Sequence, residues 1–157
     1  RLEVIQGPGG RNVVIDYAHT PDALENVLKT LRDVEPESEL VCVFGCGGDR
    51  DHGKRPEMGA VAGKLADRVF LTSDNSRSEK TEDIMDDIKA GISADNMHKV
   101  ICIPDRKEAI RTAIMLSPEK STILLAGKGH ETYQIIGTEK RHFDEREIVE
   151  EVLKSVR

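Results

Sequence analysis

Nowhere in its 157 residues does the chain hold an apolar run approaching the roughly 20 residues needed to cross a bilayer, so no membrane partner is expected. Its first residues, Arg1-Leu2-Glu3-Val4-Ile5, carry no apolar signal core. The chain also begins without methionine and runs almost at once into strand-like sequence, so the expectation is a piece of a longer protein. Cysteine is scarce: Cys42, Cys46 and Cys102 make an odd count without disulfide or zinc spacing. The first two flank a strand end, where a small buried hydrophobe is expected, and a reducing, cytoplasmic compartment follows. Positive charge is not in excess, since 29 acidic residues outnumber 23 basic ones and leave a net charge of -6. Such a surface repels a phosphate backbone, which excludes nucleic acid as a partner. Two nucleotide signatures are missing as well, because neither G-x-x-x-x-G-K-[ST] nor G-x-G-x-x-G occurs. A cradle for a triphosphate and a Mg²⁺ site are therefore not encoded in this chain. No repeat, low-complexity segment or linker interrupts the chain, so residues 1–157 are expected to form a single domain.

What is present is an alternation of short apolar runs with amphipathic helical stretches. The runs are Val13–Ile15, Leu40–Phe44, Arg68–Leu71, Val100–Ile103 and Thr122–Ala126, with a weaker sixth at Tyr133–Ile136. Their β-branched character, apolar on both faces, suits strands covered on both sides. Helix starts are legible between them: Thr20-Pro21-Asp22 ahead of Leu24, Val27, Leu28 and Leu31, then Pro56, Thr81, Asp105 and Asp144. The pattern predicts an α/β fold, a Rossmann-like doubly wound and mostly parallel sheet of about six strands flanked by helices. In such sheets ligands bind beyond the carboxyl ends of the strands.

Those ends are dense in charge and glycine. They read Asp16-Tyr17-Ala18-His19-Thr20-Pro21, then Gly45-Cys46-Gly47-Gly48-Asp49-Arg50-Asp51, Asp74-Asn75-Ser76-Arg77 and Gly127-Lys128-Gly129-His130-Glu131. Glycines let a backbone approach a ligand closely, but Asp49 stands where a pyrophosphate would lie, which disfavours an oxidoreductase. Arginine presents a planar fork that matches a carboxylate, so Arg50 and Arg77 on adjacent loops can grip an anion, with Asn75 adding an amide. Asp74 and Glu131 suit an ammonium group. Together these groups describe an amino-acid site, although each charge alone could be a surface ion pair. His19 could contact a nucleotide or cap the next helix, while His52, His98 and His142 read as solvated loop residues without metal-ligand spacing.

At these blocks, in order and over essentially the whole chain, the sequence resembles the Mur ligase family, in the branch that adds the third amino acid to UDP-N-acetylmuramoyl-L-alanyl-D-glutamate. The resemblance implies the C-terminal domain of a three-domain, ATP-dependent, amide-forming ligase of peptidoglycan synthesis. In that family one domain binds the UDP-sugar, a central one holds ATP and Mg²⁺, and the third delivers the amino acid to an acyl phosphate. It implies meso-diaminopimelate as the amino acid, held by Arg50, Asp74, Asn75, Ser76, Arg77, Gly127 and Glu131. Arg1, Asp16 and His19 resemble contacts on the nucleotide side. No catalytic residue or metal ligand is implied within this domain, which is expected to be inactive alone. The UDP-sugar dipeptide and ATP would meet it through the other domains. One departure is Ser76, where the family motif has proline. Other superfamily members, such as folylpolyglutamate synthase and murein-peptide ligases, share the architecture, and a non-catalytic anion-binding module is the remaining alternative.

Overall fold

Runs of β-branched and aliphatic residues become strands, and the pleat sorts their side chains alternately onto two faces. The computed structural model describes residues 2–156. Strands β1 (Glu3–Gln6), β2 (Asn12–Asp16), β3 (Glu39–Phe44), β4 (Arg68–Leu71), β5 (Val100–Cys102) and β6 (Ser121–Ala126) form one sheet in the order β1-β2-β6-β3-β4-β5. All pairs are parallel except β1 with β2 at one edge. β6 lies between β2 and β3, with Val14 and Cys42 both opposite Leu124, and all of its residues are buried.

Helices α1 (Pro21–Val34), α2 (Lys54–Leu65) and α3 (Thr81–Lys89) cover one face, and α4 (Arg106–Leu116) and α5 (Glu145–Leu153) cover the other. Strand β3 displays the sorting. Leu40, Cys42 and Phe44 join Leu24, Leu28, Met58 and Ile88, whereas Val41 and Val43 join Ile110, Ile114 and Val149. The inner strands β3 and β6 are thus buried on both faces, which is the doubly wound arrangement expected of continuous apolar runs. The helix starts hold. Thr20 Oγ1 accepts from Ala23 N at 3.2 Å, and the carboxylates of Asp105 and Asp144 accept from Glu108 N and Arg146 N at 3.0 Å each. Helix α2 begins at Lys54, two residues ahead of Pro56. Proline is tolerated there because the first turn has no intrahelical partner for its missing N–H.

Two expectations need correction. The sixth strand of the sheet is β1, and Tyr133–Ile136 is instead strand β7 of a separate hairpin with β8 (Glu139–His142). A two-residue connection through Gly137, at φ +62°, favours this local antiparallel pairing. Because β8 extends so far, His142 is a strand residue rather than a loop one. It is exposed, and the carboxylate of Glu147, 2.8 Å away, raises its pKa. Cys42 and Cys46 are buried as expected, and burial pushes both thiols up to about 12. Among the described residues no helix is long and apolar enough to cross a membrane.

Candidate functional site

Because β2, β3, β4 and β6 run parallel, their carboxyl ends open on one side of the sheet, and the loops leaving them line a cavity of about 320 Å³. The loop after β2 contributes Tyr17 and His19, and the loop after β3 contributes Gly47 and Arg50, followed by Lys54 at the start of α2. Asp74, Asn75 and Arg77 come from the loop after β4, and Gly127 and Glu131 from the loop after β6. A wider cavity of about 610 Å³ opens at the opposite, amino ends of the strands between Asn12, Ser38, Lys120 and Thr122. It holds no convergent pair of arginines, and the strand-end rule points to the smaller one.

The arginines flank Gly47: a Cβ placed on it would lie 3.1 Å from Arg77 Nη1 and 3.6 Å from Arg50 Cγ. Arg77 Nη1 donates to the carbonyls of Gly48 and Asn75 at 3.0 and 3.3 Å, and Arg50 Nη1 donates to Asp49 O at 2.9 Å. Each guanidinium keeps further N–H groups for an anion. Arg77 sits at φ +52°, an uncommon conformation for a side chain of its size. The two loops touch at Gly48, whose N–H donates to Asn75 O at 2.8 Å and where a Cβ would fall 1.8 Å from Ser76 O. Only glycine allows that approach.

The acidic residues of the same cavity belong to a cluster built on Lys128. Its ammonium is fully buried and donates to Asp74 Oδ1 at 3.1 Å, Asn75 Oδ1 at 3.1 Å and Glu131 Oε1 at 3.3 Å. Asn75 Oδ1 also accepts from Ile135 N at 2.9 Å, so the donor end of this amide is what remains for a ligand. Gly127, at φ +114°, passes so close to Asp74 that a Cβ would lie 2.9 Å from Oδ2. Lys54 Nζ donates to His19 O at 2.8 Å, and the Tyr17 and His19 rings lie 4.7 Å apart, centroid to centroid.

Beneath these groups, two buried arginines fix the loops. Arg55 donates to both oxygens of Glu79 at 3.0 and 2.8 Å, to Asp87 at 2.9 Å and to Gly47 O at 3.0 Å. The Arg55 guanidinium and the backbone N–H of Asp49 hold the Glu79 carboxyl down at about 2. Arg106 donates to Glu145 Oε2 at 2.7 Å and to the carbonyls of Ser73 and Ala126 at 3.0 Å each. It thereby joins the ends of β4 and β6 to helices α4 and α5. A buried guanidinium left unpaired would be costly, so these contacts constrain the backbone strongly.

The structure thus brings together Arg50, Asp74, Asn75, Arg77, Gly127, Glu131 and His19. It does not place Ser76 on the wall, since that residue is buried behind the loop with Oγ 2.7 Å from Thr81 Oγ1. Asp16 ends β2 outside the wall, with Oδ2 accepting from Ala18 N at 3.0 Å. Arg1 lies outside the described residues. Sequence reasoning assigned nothing to Tyr17 and Lys54 on the wall or to Lys128, Arg55, Glu79, Arg106 and Gln134 behind it. Lysine and arginine are ordinarily exposed, so their burial leaves no mark in the sequence.

The family described as Mur ligase, glutamate ligase domain, matches residues 1–129. A UDP-N-acetylmuramoyl-L-alanyl-D-glutamate–2,6-diaminopimelate ligase of Bacteroides thetaiotaomicron is 50% identical over 97% of this chain, and one of Haemophilus influenzae is 52% identical over 98%. The chain spans about a third of these relatives, 32% and 31% of their lengths. A solved structure of a protein with the same name superposes with a TM-score of 0.92 at 44% identity, covering 99% of this chain and 31% of its own.

Proposed function

This chain belongs to the Mur ligase family, as a glutamate ligase domain, and from that premise we propose that it delivers meso-diaminopimelate. In this reading residues 1–157 are the C-terminal domain of an ATP-dependent ligase that joins this amino acid to UDP-N-acetylmuramoyl-L-alanyl-D-glutamate. The observation that carries the reading is one cavity lined by both Arg50 and Arg77 and by both Asp74 and Glu131. Arg77, Arg50 and the Asn75 amide hold the carboxylate at one end of the amino acid. Asp74 and Glu131 hold the ammonium beside it. The Lys128 ammonium offsets one of the two carboxylates, which leaves a single negative charge for a single ammonium. Held by that end, the amino acid presents its other amine to the acyl phosphate of the D-glutamate, forming the amide as phosphate leaves. Arg1, Asp16 and His19 serve the nucleotide side.

Mg²⁺ does not fit this cavity. Both of its carboxylates are bonded to the Lys128 ammonium, which puts positive charge where a divalent ion would need oxygen ligands. ATP and Mg²⁺ are assigned to a domain outside this chain, and no step in this cavity runs through the ion.

Titrating meso-diaminopimelate and lysine separately into the full-length protein tests the assignment, because lysine lacks the second carboxylate. We expect meso-diaminopimelate to bind more tightly, and Arg77→Ala to erase most of the difference. A charge-assisted hydrogen bond lost from a buried site is worth about 1.5–3 kcal/mol. Equal affinity of the unmodified protein for both ligands would remove the substrate assignment.

A further inference from the structure

Resting on that reading, we propose that the β7–β8 hairpin is the element that sets amino-acid selectivity, with Gln134 as its positioning residue. Residues 73–77 hang from this hairpin across some 60 positions of sequence. The Gln134 amide, 8% exposed, points one nitrogen at two oxygens of the loop, Ser73 Oγ and Asp74 O, each at 2.8 Å. An amide nitrogen carries two hydrogens, so both contacts are satisfied at once. The next residue donates from Ile135 N to Asn75 Oδ1 at 2.9 Å. Arg77 is then tied to the hairpin through an isolated bridge. Its N–H donates to Ile135 O at 3.3 Å, its carbonyl accepts from Gly137 N at 2.8 Å, and it bridges Ile136 in parallel.

This clamp explains how Arg77 keeps its left-handed backbone. A non-glycine residue at φ +52° persists only where its surroundings over-determine it, and the two hairpin bonds do so. Without them Arg77 would relax toward an extended conformation and its side chain would leave the Gly48 and Asn75 carbonyls. Asp74, Asn75 and Arg77 would then lose their common orientation, although none of them had been altered.

Gln134 touches no ligand in this scheme and acts through the loop. Its replacement should therefore raise the KM for the amino acid without moving that for ATP. The test is steady-state kinetics of the full-length protein with Gln134→Leu, which keeps the size and removes both donors, and Gln134→Asn, which withdraws the amide by one methylene. Lys140→Ala is the control for general loosening, because Lys140 makes its contact within the hairpin, 4.2 Å from the Tyr133 ring centroid. Both Gln134 variants should raise the KM for meso-diaminopimelate about tenfold, the scale of a lost buried hydrogen bond, and narrow its preference over lysine. Lys140→Ala should do neither. An unchanged KM in a folded Gln134 variant overturns the proposal, as does a uniform loss in all substrates that Lys140→Ala reproduces. Arg77→Ala, run alongside, separates the two layers. If it alters selectivity while the Gln134 variants do not, the role of the hairpin has failed by itself. If it too leaves selectivity untouched, the amino-acid assignment has failed and the proposal with it.

Discussion

Ser76 illustrates how little of a residue's role its neighbours in sequence reveal. It sits between Asn75 and Arg77, both on the cavity, yet is itself 1% exposed and faces Thr81. Proline at this position would remove the hydroxyl contact and fix φ, and among the described residues no backbone bond outside the helices and strands uses the Ser76 N–H. We expect Ser76→Pro to leave kcat/KM for the amino acid within about threefold and to cost at most about 1 kcal/mol of stability. Kinetics paired with urea unfolding would check both, and a large loss of activity in a folded variant would count against a Ser76 that stands behind the cavity wall. The same contrast marks the limit of reading the site from sequence. Arg50, Arg77, Asp74 and Glu131 could be picked out because paired charges at strand ends are chemically conspicuous. Lys128 could not, since nothing local distinguishes a lysine that will be fully buried from one that will be solvated.

The loops behave as coupled elements. The arginine-bearing turns after β3 and β4 are in contact at Gly48, and Asp49 fastens them again by accepting from Ser78 N at 3.3 Å. A methyl group at Gly48 would collide with the Ser76 carbonyl, which is backbone and cannot swing aside. Gly48→Ala should therefore spread the two turns and weaken meso-diaminopimelate binding by about tenfold or more, roughly the effect of losing one or two buried hydrogen bonds. Calorimetric titration would measure this, with circular dichroism expected to show the sheet intact. At this scale the helices were legible because their caps are local, as at Thr20, Asp105 and Asp144. The hairpin was not. Tyr133–Ile136 has strand character in either sheet, and only the tertiary fact that β1 fills the edge beside β2 decides between them.

Across the whole molecule the charges give a pH signature. The folded pKa of Glu79 lies near 2, below its ordinary 4.5, so its contribution to stability is complete above pH 4.5 and drains away as pH falls toward 2. Asp49, lowered chiefly by hydrogen bonds from Ser78, acts in the same sense. Glu145, raised by burial against the opposing pull of Arg106, acts in the other. Urea midpoints taken from about pH 5 to 2 should fall, and Glu79→Gln should flatten that fall while lowering the plateau above it. An equally steep acid limb in the variant would mean that the Arg55–Glu79 pair has no linkage to folding. The position of β6 has a consequence for how the chain is made. Its partners β2 and β3 emerge from a ribosome long before it does, and until Ser121–Ala126 arrives they have no strand to lie between them. From the completion of β3 until β6 emerges, the growing chain must carry two unpaired apolar edges, a state open to aggregation. The cavity at the strand ends, which needs the loop after β6 to close, can form only once that loop too has left the exit tunnel.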